Sequence, residues 1–255
     1  MRANYHDKCK SADQRSSAVT VSILAYDEKS GTFGGAAMTG SLCVGGWVLR
    51  GGAESGLSAS QGTAPSTLWG EDVLEKMKTG MSAGDAVAQV TDPDTGRAHR
   101  QLAAIDLHGD TGHFTGEMSV PVCGALEGPG VVVSGNMLAD WSVIAAVRDT
   151  YLSTKGAMPD RLMAALVAGA RAGGDSRGLL SAALLVASRA VTPLTLRIDR
   201  SAKPLEDLAD LLAAARAEPY HGWTRVVPTL DDPYRAPDLV EPEALPLPRD
   251  GDGVA

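Results

Sequence analysis

The sequence predicts an α/β (α+β) protein whose single domain is a four-layer αββα sandwich. Three observations support that expectation. Strand-like segments come in groups separated by helical ones, in the order strands, two helices, strands, two helices, strands, one helix. That order suits two sheets, each covered on its outer side by helices. Single βαβ crossovers, which parallel strands require, are missing. At 255 residues the chain is long enough to bury a full core within one domain.

The elements follow in order. Residues 1–18 are polar and without periodicity, which predicts a disordered leader or a mis-assigned start ahead of a domain over 19–216. Residues 19–26 mix alternation with β-branched side chains and read as the first strand. A turn at 27–31 leads to a second strand at 33–39, completing a hairpin. Residues 43–49 and 56–61 read as two further, glycine-rich strands. A helix is expected from Ser66 to Thr79, stopped by Gly80. A second starts at Ser82, capped with Asp85, and turns Ala86, Val87 and Val90 inward. Residues 100–107 and 113–116 flank a turn and predict another hairpin, and 130–134 a short strand. Leu138, Trp141, Ala145 and Leu152 then mark a helical stripe that Arg148 interrupts. Residues 159–172 form a helix with Leu162, Met163, Leu166 and Ala170 inward. The continuous apolar run 181–188 predicts a strand covered on both faces, paired with 194–199. Pro204 opens a last helix to Arg216, with Leu205, Leu208, Leu211 and Leu212 inward. From 217 to 255 the chain turns Pro-rich and acidic and reads as a tail, apolar enough near Tyr220 and Trp223 to drape over the body or a neighbouring subunit.

Composition narrows the function. A net charge of −8 argues against a nucleic-acid partner, which needs a clustered basic face. No segment has the ~18 apolar residues of a membrane span or a signal peptide's apolar run, so the expected location is cytoplasmic and no membrane partner is expected. Three cysteines without a CxxC pair predict neither a disulfide framework nor a zinc site. Dinucleotide, P-loop, zinc-protease and serine-hydrolase signatures are all absent. Three polar stretches set between glycines at element ends remain: Thr115-Gly116-Glu117, Ser134-Gly135-Asn136-Met137-Leu138 and Gly173-Gly174-Asp175-Ser176-Arg177-Gly178. Such stretches present N–H groups and side chains to a ligand. They serve equally as turns and caps: Asn136 suits the start of the following helix, and Asp175 and Arg177 a loop ion pair.

These stretches, with the strand that starts at Thr20, resemble the bacterial family catalogued as domain of unknown function 1028. Gln61, the His99-Arg100-Gln101-Leu102 stretch and Ser181-Ala182-Ala183 are similar to its pattern too, so the resemblance runs from about Thr20 to Arg216. That family is grouped with the N-terminal-nucleophile (Ntn) hydrolases, which implies an Ntn-hydrolase-like αββα sandwich. Its members begin with Met-Thr, and Thr20 falls on that threonine. The resemblance therefore implies Thr20 as nucleophile of a small-molecule amide hydrolase, with its own α-amine (pKa near ~8) as base. Asn136 or backbone N–H groups would stabilise the oxyanion. Thr39, Gln61, Glu117, Asp175 and Arg177 are the implied substrate-binding residues, with no metal or organic cofactor. A homo-oligomer is the expected assembly.

The chain departs from the pattern at Ser134 and Leu180, where the family has Gln, and at Thr39-Gly40, where Ser and a basic residue are common. It also carries 19 residues ahead of Thr20. Cleavage of the Val19–Thr20 bond would expose the amine. So would a start at a GTG-encoded Val19 followed by methionine removal. The rival expectation is a non-catalytic member of the fold that binds a small ligand or serves in an oligomer.

Overall fold

The computed structural model describes residues 19–173 and 178–237. The expected leader, the loop with Asp175 and Arg177, and the chain end from 238 lie outside the described residues. The protein is a mixed α+β fold with two antiparallel sheets. The larger is built from β1 (Thr20–Asp27), β2 (Thr32–Thr39), β7 (Val122–Gly128), β8 (Val131–Leu138), β9 (Ser181–Ala187) and β10 (Leu194–Ile198). Its strand order is β10-β9-β2-β1-β8-β7. The smaller holds β3 (Leu49–Gly52), β4 (Gly56–Gly62), β5 (Arg100–Ile105) and β6 (Thr111–Thr115), in that order. Both expected hairpins form, β1 with β2 and β5 with β6, and β9 pairs with β10 as expected.

Strand alternation divides the core. On β1, Val21, Ile23 and Ala25 face the helices α4 (Ser142–Ser153), α5 (Met158–Arg171) and α6 (Pro204–Ala215), whose Val143, Ile144, Val147, Leu162, Leu166 and Leu208 complete one cluster. The opposite face sends Leu24, with Phe33, Ala37 and Val132 of neighbouring strands, toward Leu57, Ala59, Ala103 and Ile105 of the smaller sheet. Beyond that sheet, α2 (Thr67–Lys78) and α3 (Ala83–Thr91) bury Trp69, Val73, Met77, Ala86 and Val87 against Leu102 and Ala104. Helix α3 starts as expected: the Ser82 Oγ accepts the Asp85 N–H at 3.3 Å and donates to the Asp85 carboxylate at 2.8 Å.

Four segments differ from expectation. Residues 43–49 are not a strand. Cys43 takes a left-handed conformation (φ 60°) and leads into a short helix, α1 (Val44–Trp47). The Asp199 carbonyl accepts the Cys43 N–H and the Ser181 hydroxyl accepts that of Val44, so no strand partner can use them. Strand β8 runs through to Leu138, so Asn136 is a strand residue and not a helix cap. The buried stripe of α4 is Val143, Ile144, Val147 and Tyr151, while Trp141 and Leu152 are exposed. Arg148 therefore interrupts nothing. Strand β7 was not expected, because its Gly124 and Gly128 and a bulge near Cys123 break the alternation.

The described part of the tail does drape over the body. It forms the short helix α7 (Tyr220–Thr224), whose Thr224 carbonyl accepts the Thr192 hydroxyl at 2.6 Å, and the Asp231 N–H donates to the Arg189 carbonyl. Among the described residues, no helix is long and apolar enough to cross a membrane.

Candidate functional site

The space between the sheets is apolar over most of its length and polar at one end. Period-2 alternation explains why. Thr20 shares its face with Leu24 on β1, and Thr39 shares one with Ala37 on β2. Asn136 lies in phase with Val132 on β8, Gln61 with Leu57 and Ala59 on β4, and Gln101 with Ala103 and Ile105 on β5. Register aligns them: Thr20 lies between Thr39 and Asn136 across β2-β1-β8, and Gln61 is paired with Gln101. Five polar residues thus converge at the same end of an otherwise hydrophobic interface.

A pocket of about 330 Å³ opens there, lined by Thr20, Thr39, Ser41, Gln61, Gly62, Thr63 and Met137 together with the apolar Leu42, Val44, Trp47, Val48 and Pro65. None of these lining residues has an ionisable side chain. Backbone strain collects at its walls. Among the described residues, Cys43 and Met137 (φ 54°) are the two non-glycine positions with left-handed backbone; Met137 lines the pocket and Cys43 sits between two lining residues.

Thr20 is 9% exposed, and its Oγ1 lies 3.1 Å from that of Thr39. The Thr39 hydroxyl gives its one proton to the Val19 carbonyl at 2.7 Å, so Thr20 is the donor between the two hydroxyls. Thr39 Oγ1 also accepts the Ser41 N–H at 3.3 Å, which leaves it saturated and fixed. The Val19 carbonyl accepts a second, longer bond from the Gly40 N–H at 3.3 Å.

Behind Thr20 lies a buried amide cluster centred on Gln101. Its Oε1 accepts Gln61 Nε2 at 2.7 Å and Asn136 Nδ2 at 3.2 Å. Its Nε2 donates to the Gly124 and Gly135 carbonyls at 3.0 and 3.1 Å and to the Thr115 hydroxyl at 2.8 Å. One side chain of β5 thus ties β4 and β6 of its own sheet to β7 and β8 of the other.

Of the expected site residues, Thr20, Thr39 and Gln61 line this pocket, while Asn136 is paired with Thr20 but fully buried in the amide cluster and is not a lining residue. Glu117 does not join them: it is exposed in the β6–β7 connection and does not line the pocket. Asp175 and Arg177 lie outside the described residues. Gln101 is the residue that sequence reasoning missed as a site member. The available signal was its phase, a polar side chain in register with the core positions Ala103 and Ile105. Ser22 is buried without a hydrogen-bond partner among the described residues, and it does not line the pocket. No group of three or more His, Cys, Asp or Glu among the described residues is placed to hold a metal ion.

Fold and site together define a two-sheet α+β protein with a threonine-bearing pocket at one end of its inter-sheet core, uncharged among the described lining residues. The chain belongs to the family described as "Family of unknown function (DUF1028)", whose pattern residues 20–208 match. It is similar to the crystal structure of protein SPO2555 from Silicibacter pomeroyi, assigned to the same family. That chain is 46% identical, with a TM-score of 0.85, and the match covers 89% of this chain and 99% of the other. No curated protein matches.

Proposed function

We propose that this protein is an Ntn-type hydrolase that cleaves an amide bond of a small molecule, with Thr20 as nucleophile once its α-amine is free. One observation carries the reading. Thr20 lines a pocket whose lining residues, among those described, offer no side-chain base, so an amine on Thr20 itself would be the base beside its hydroxyl. The four-layer αββα sandwich of Ntn type belongs to the same proposal. Its support is that α4 and α5 pack on the larger sheet, and α2 and α3 on the smaller.

In this reaction Thr20 Oγ1 attacks the substrate carbonyl and its proton passes to the α-amine. The oxyanion takes hydrogen bonds from the Gly40 N–H and from the Asn136 N–H not given to Gln101. Collapse breaks the C–N bond, and the departing amine takes the proton from the α-ammonium. Water, deprotonated by the same amine, then cleaves the ester and restores the threonine. Thr39 orients the nucleophile and does not react.

N-terminal sequencing of protein purified from its native host tests the proposal. A functional chain that begins at Thr20 supports it, and one that retains residues ahead of Thr20 refutes it. A second reading, a non-catalytic ligand-binding member of the fold, is favoured by a specific observation: in the chain as described, the Thr20 nitrogen is bonded to Val19, which is itself buried in the core. Replacing Thr20 by Ala separates the two. Turnover lost with stability unchanged supports the enzyme.

A further inference from the structure

A second cavity, of about 640 Å³, lies at the other end of the larger sheet, where Asp27 ends β1, Thr32 opens β2 and Leu194 opens β10. The length of β1, about 23 Å of strand, separates it from Thr20. Its size suits a small molecule. Met158, Pro159, Val186 and Leu194 line it, and α7 adds Tyr220 and Trp223, whose ring centroids are 5.7 Å apart. Tyr220, Trp223 and Val191 are 49%, 50% and 54% exposed, so large apolar surface stands open around the cavity, as it does at binding sites. Cations line the same space: Arg216, Arg225 and Arg235, with Asp27 the one carboxylate among the described lining residues. Asp27 is already paired with Arg161, at 3.4 Å. Arg216 is held by both oxygens of Asp160, at 2.7 and 3.0 Å. Arg225 meets Glu218 at 2.9 Å, but the two side chains are 64% and 62% exposed, a pair that contributes little and exchanges readily. Arg235 is aimed by its Nε, which donates to the Val227 carbonyl at 2.8 Å, and its two terminal nitrogens carry four further N–H donors.

From these guanidinium groups beside an aromatic and aliphatic wall, we propose that the cavity binds an amphipathic carboxylate, a small anion on an apolar body. The body rests on Trp223, Met158, Val191 and Leu194, and covers apolar surface that is otherwise open to water. Arg235 takes the carboxylate through its terminal nitrogens, in the two-bond geometry that a planar guanidinium offers. Arg225 adds a second contact by exchanging Glu218 for the ligand. A cation of the same shape would meet three guanidinium groups, and a neutral amide would bring one acceptor where a carboxylate brings two. A small inorganic anion would leave Tyr220 and Trp223 as open as before. The proposal goes beyond the hydrolase reading and does not rest on it, since the two sites lie at opposite ends of β1.

The full-length protein, ¹⁵N-labelled, is titrated with octanoate, octanamide and octylammonium while the Trp223 indole signal and the backbone amides of Thr192, Thr224 and Arg235 are followed. Octanoate is expected to shift these signals and to bind about tenfold or more tighter than octanamide, the effect of one charge-assisted hydrogen bond, with octylammonium weakest. Arg235→Met is expected to bring octanoate and octanamide within about twofold, since methionine keeps the apolar stem and removes the charge. Octanamide or octylammonium binding as tightly as octanoate overturns the proposal. So does an unchanged preference in Arg235→Met, a failure of octanoate to shift these signals, or shifts confined to Trp47, Gly62 and Thr63 of the other pocket. The wild-type comparison stands without the variant. Every arm reads binding at residues remote from Thr20, so a chain that passes this test and yet retains residues ahead of Thr20 in its functional form refutes the hydrolase alone.

Discussion

Replacing Gln101 by Leu removes the centre of the buried amide cluster at nearly constant volume. Gln101, Gln61 and Asn136 are 0%, 2% and 0% exposed, so water cannot substitute without opening the sheets. The change leaves the Gln61 and Asn136 amide N–H groups that faced Oε1 without an acceptor. Each buried group so orphaned costs about 1–3 kcal/mol, which places the loss at about 2–6 kcal/mol. Gly124 and Gly135 remain paired in the β7–β8 ladder, and the lower half of that range is expected, about 3 kcal/mol. For a domain of this size that is roughly 6–12 °C in Tm. Urea unfolding followed by far-ultraviolet circular dichroism and by tryptophan fluorescence measures it, with coincident transitions required for a two-state reading. Gln61→Met provides the internal contrast, because Asn136 still donates to Gln101; about 1 kcal/mol is expected there. A loss below ~1 kcal/mol for Gln101→Leu refutes the reasoning, since it would mean that the orphaned amides find other partners.

Three further outcomes are expected. Asp106 is buried, and its carboxylate accepts the N–H groups of Ala83 (2.9 Å), His108 (2.9 Å) and Asp110 (3.1 Å), joining the start of α3 to the β5–β6 turn; Asp106→Ala should cost about 2–4 kcal/mol in urea unfolding, with part recovered in Asp106→Asn. A Cβ on Gly112 would lie 2.5 Å from the Ala83 carbonyl oxygen and 2.7 Å from the Gly84 nitrogen, backbone that cannot step aside; Gly112→Ala should lower stability by about 1–3 kcal/mol, and a thermal melt matching wild type would contradict that close approach. Burial pushes the Tyr151 phenol up to about 12, with Arg161 pulling it down and Asp27 pushing it up. The unfolded chain releases that proton near pH ~10 and the folded chain later, so the contribution to stability is complete below ~10 and is lost as pH rises through about 12. Urea midpoints above pH ~10 should therefore fall more steeply for wild type than for Tyr151→Phe, and parallel curves would refute the assignment.

Much of the fold was legible from local pattern. Thr20–Asp27 and Ser181–Ala187 show β-branched or continuous apolar runs, and the Ser82–Asp85 cap marks a helix start within one turn of chain. The segments that misled are those whose conformation answers to distant partners. Cys43 and Val44 spend their N–H groups on Asp199 and Ser181, more than 130 residues away. Strand β7 carries two glycines and owes its pairing to β8 rather than to its own propensity. Trp141 reads as core by hydrophobicity, yet its ring lies over Gly124 and remains half-exposed.

The site divides the same way. Thr20 at the head of the first strand, Thr39, Gln61 and Asn136 could be named from sequence because each ends an element beside glycine or carries the family's pattern. The sequence by itself determined the α+β class, the two hairpins, the start of α3 and the phase of the strands it located, since all of these are written in intervals of a few residues. Only the tertiary structure decided that those phases point to one end of one inter-sheet space, that Glu117 stays outside it, and that Gln101 sets the amides around it. Register between strands far apart in the chain is settled by packing both faces of both sheets at once, and no local interval encodes that.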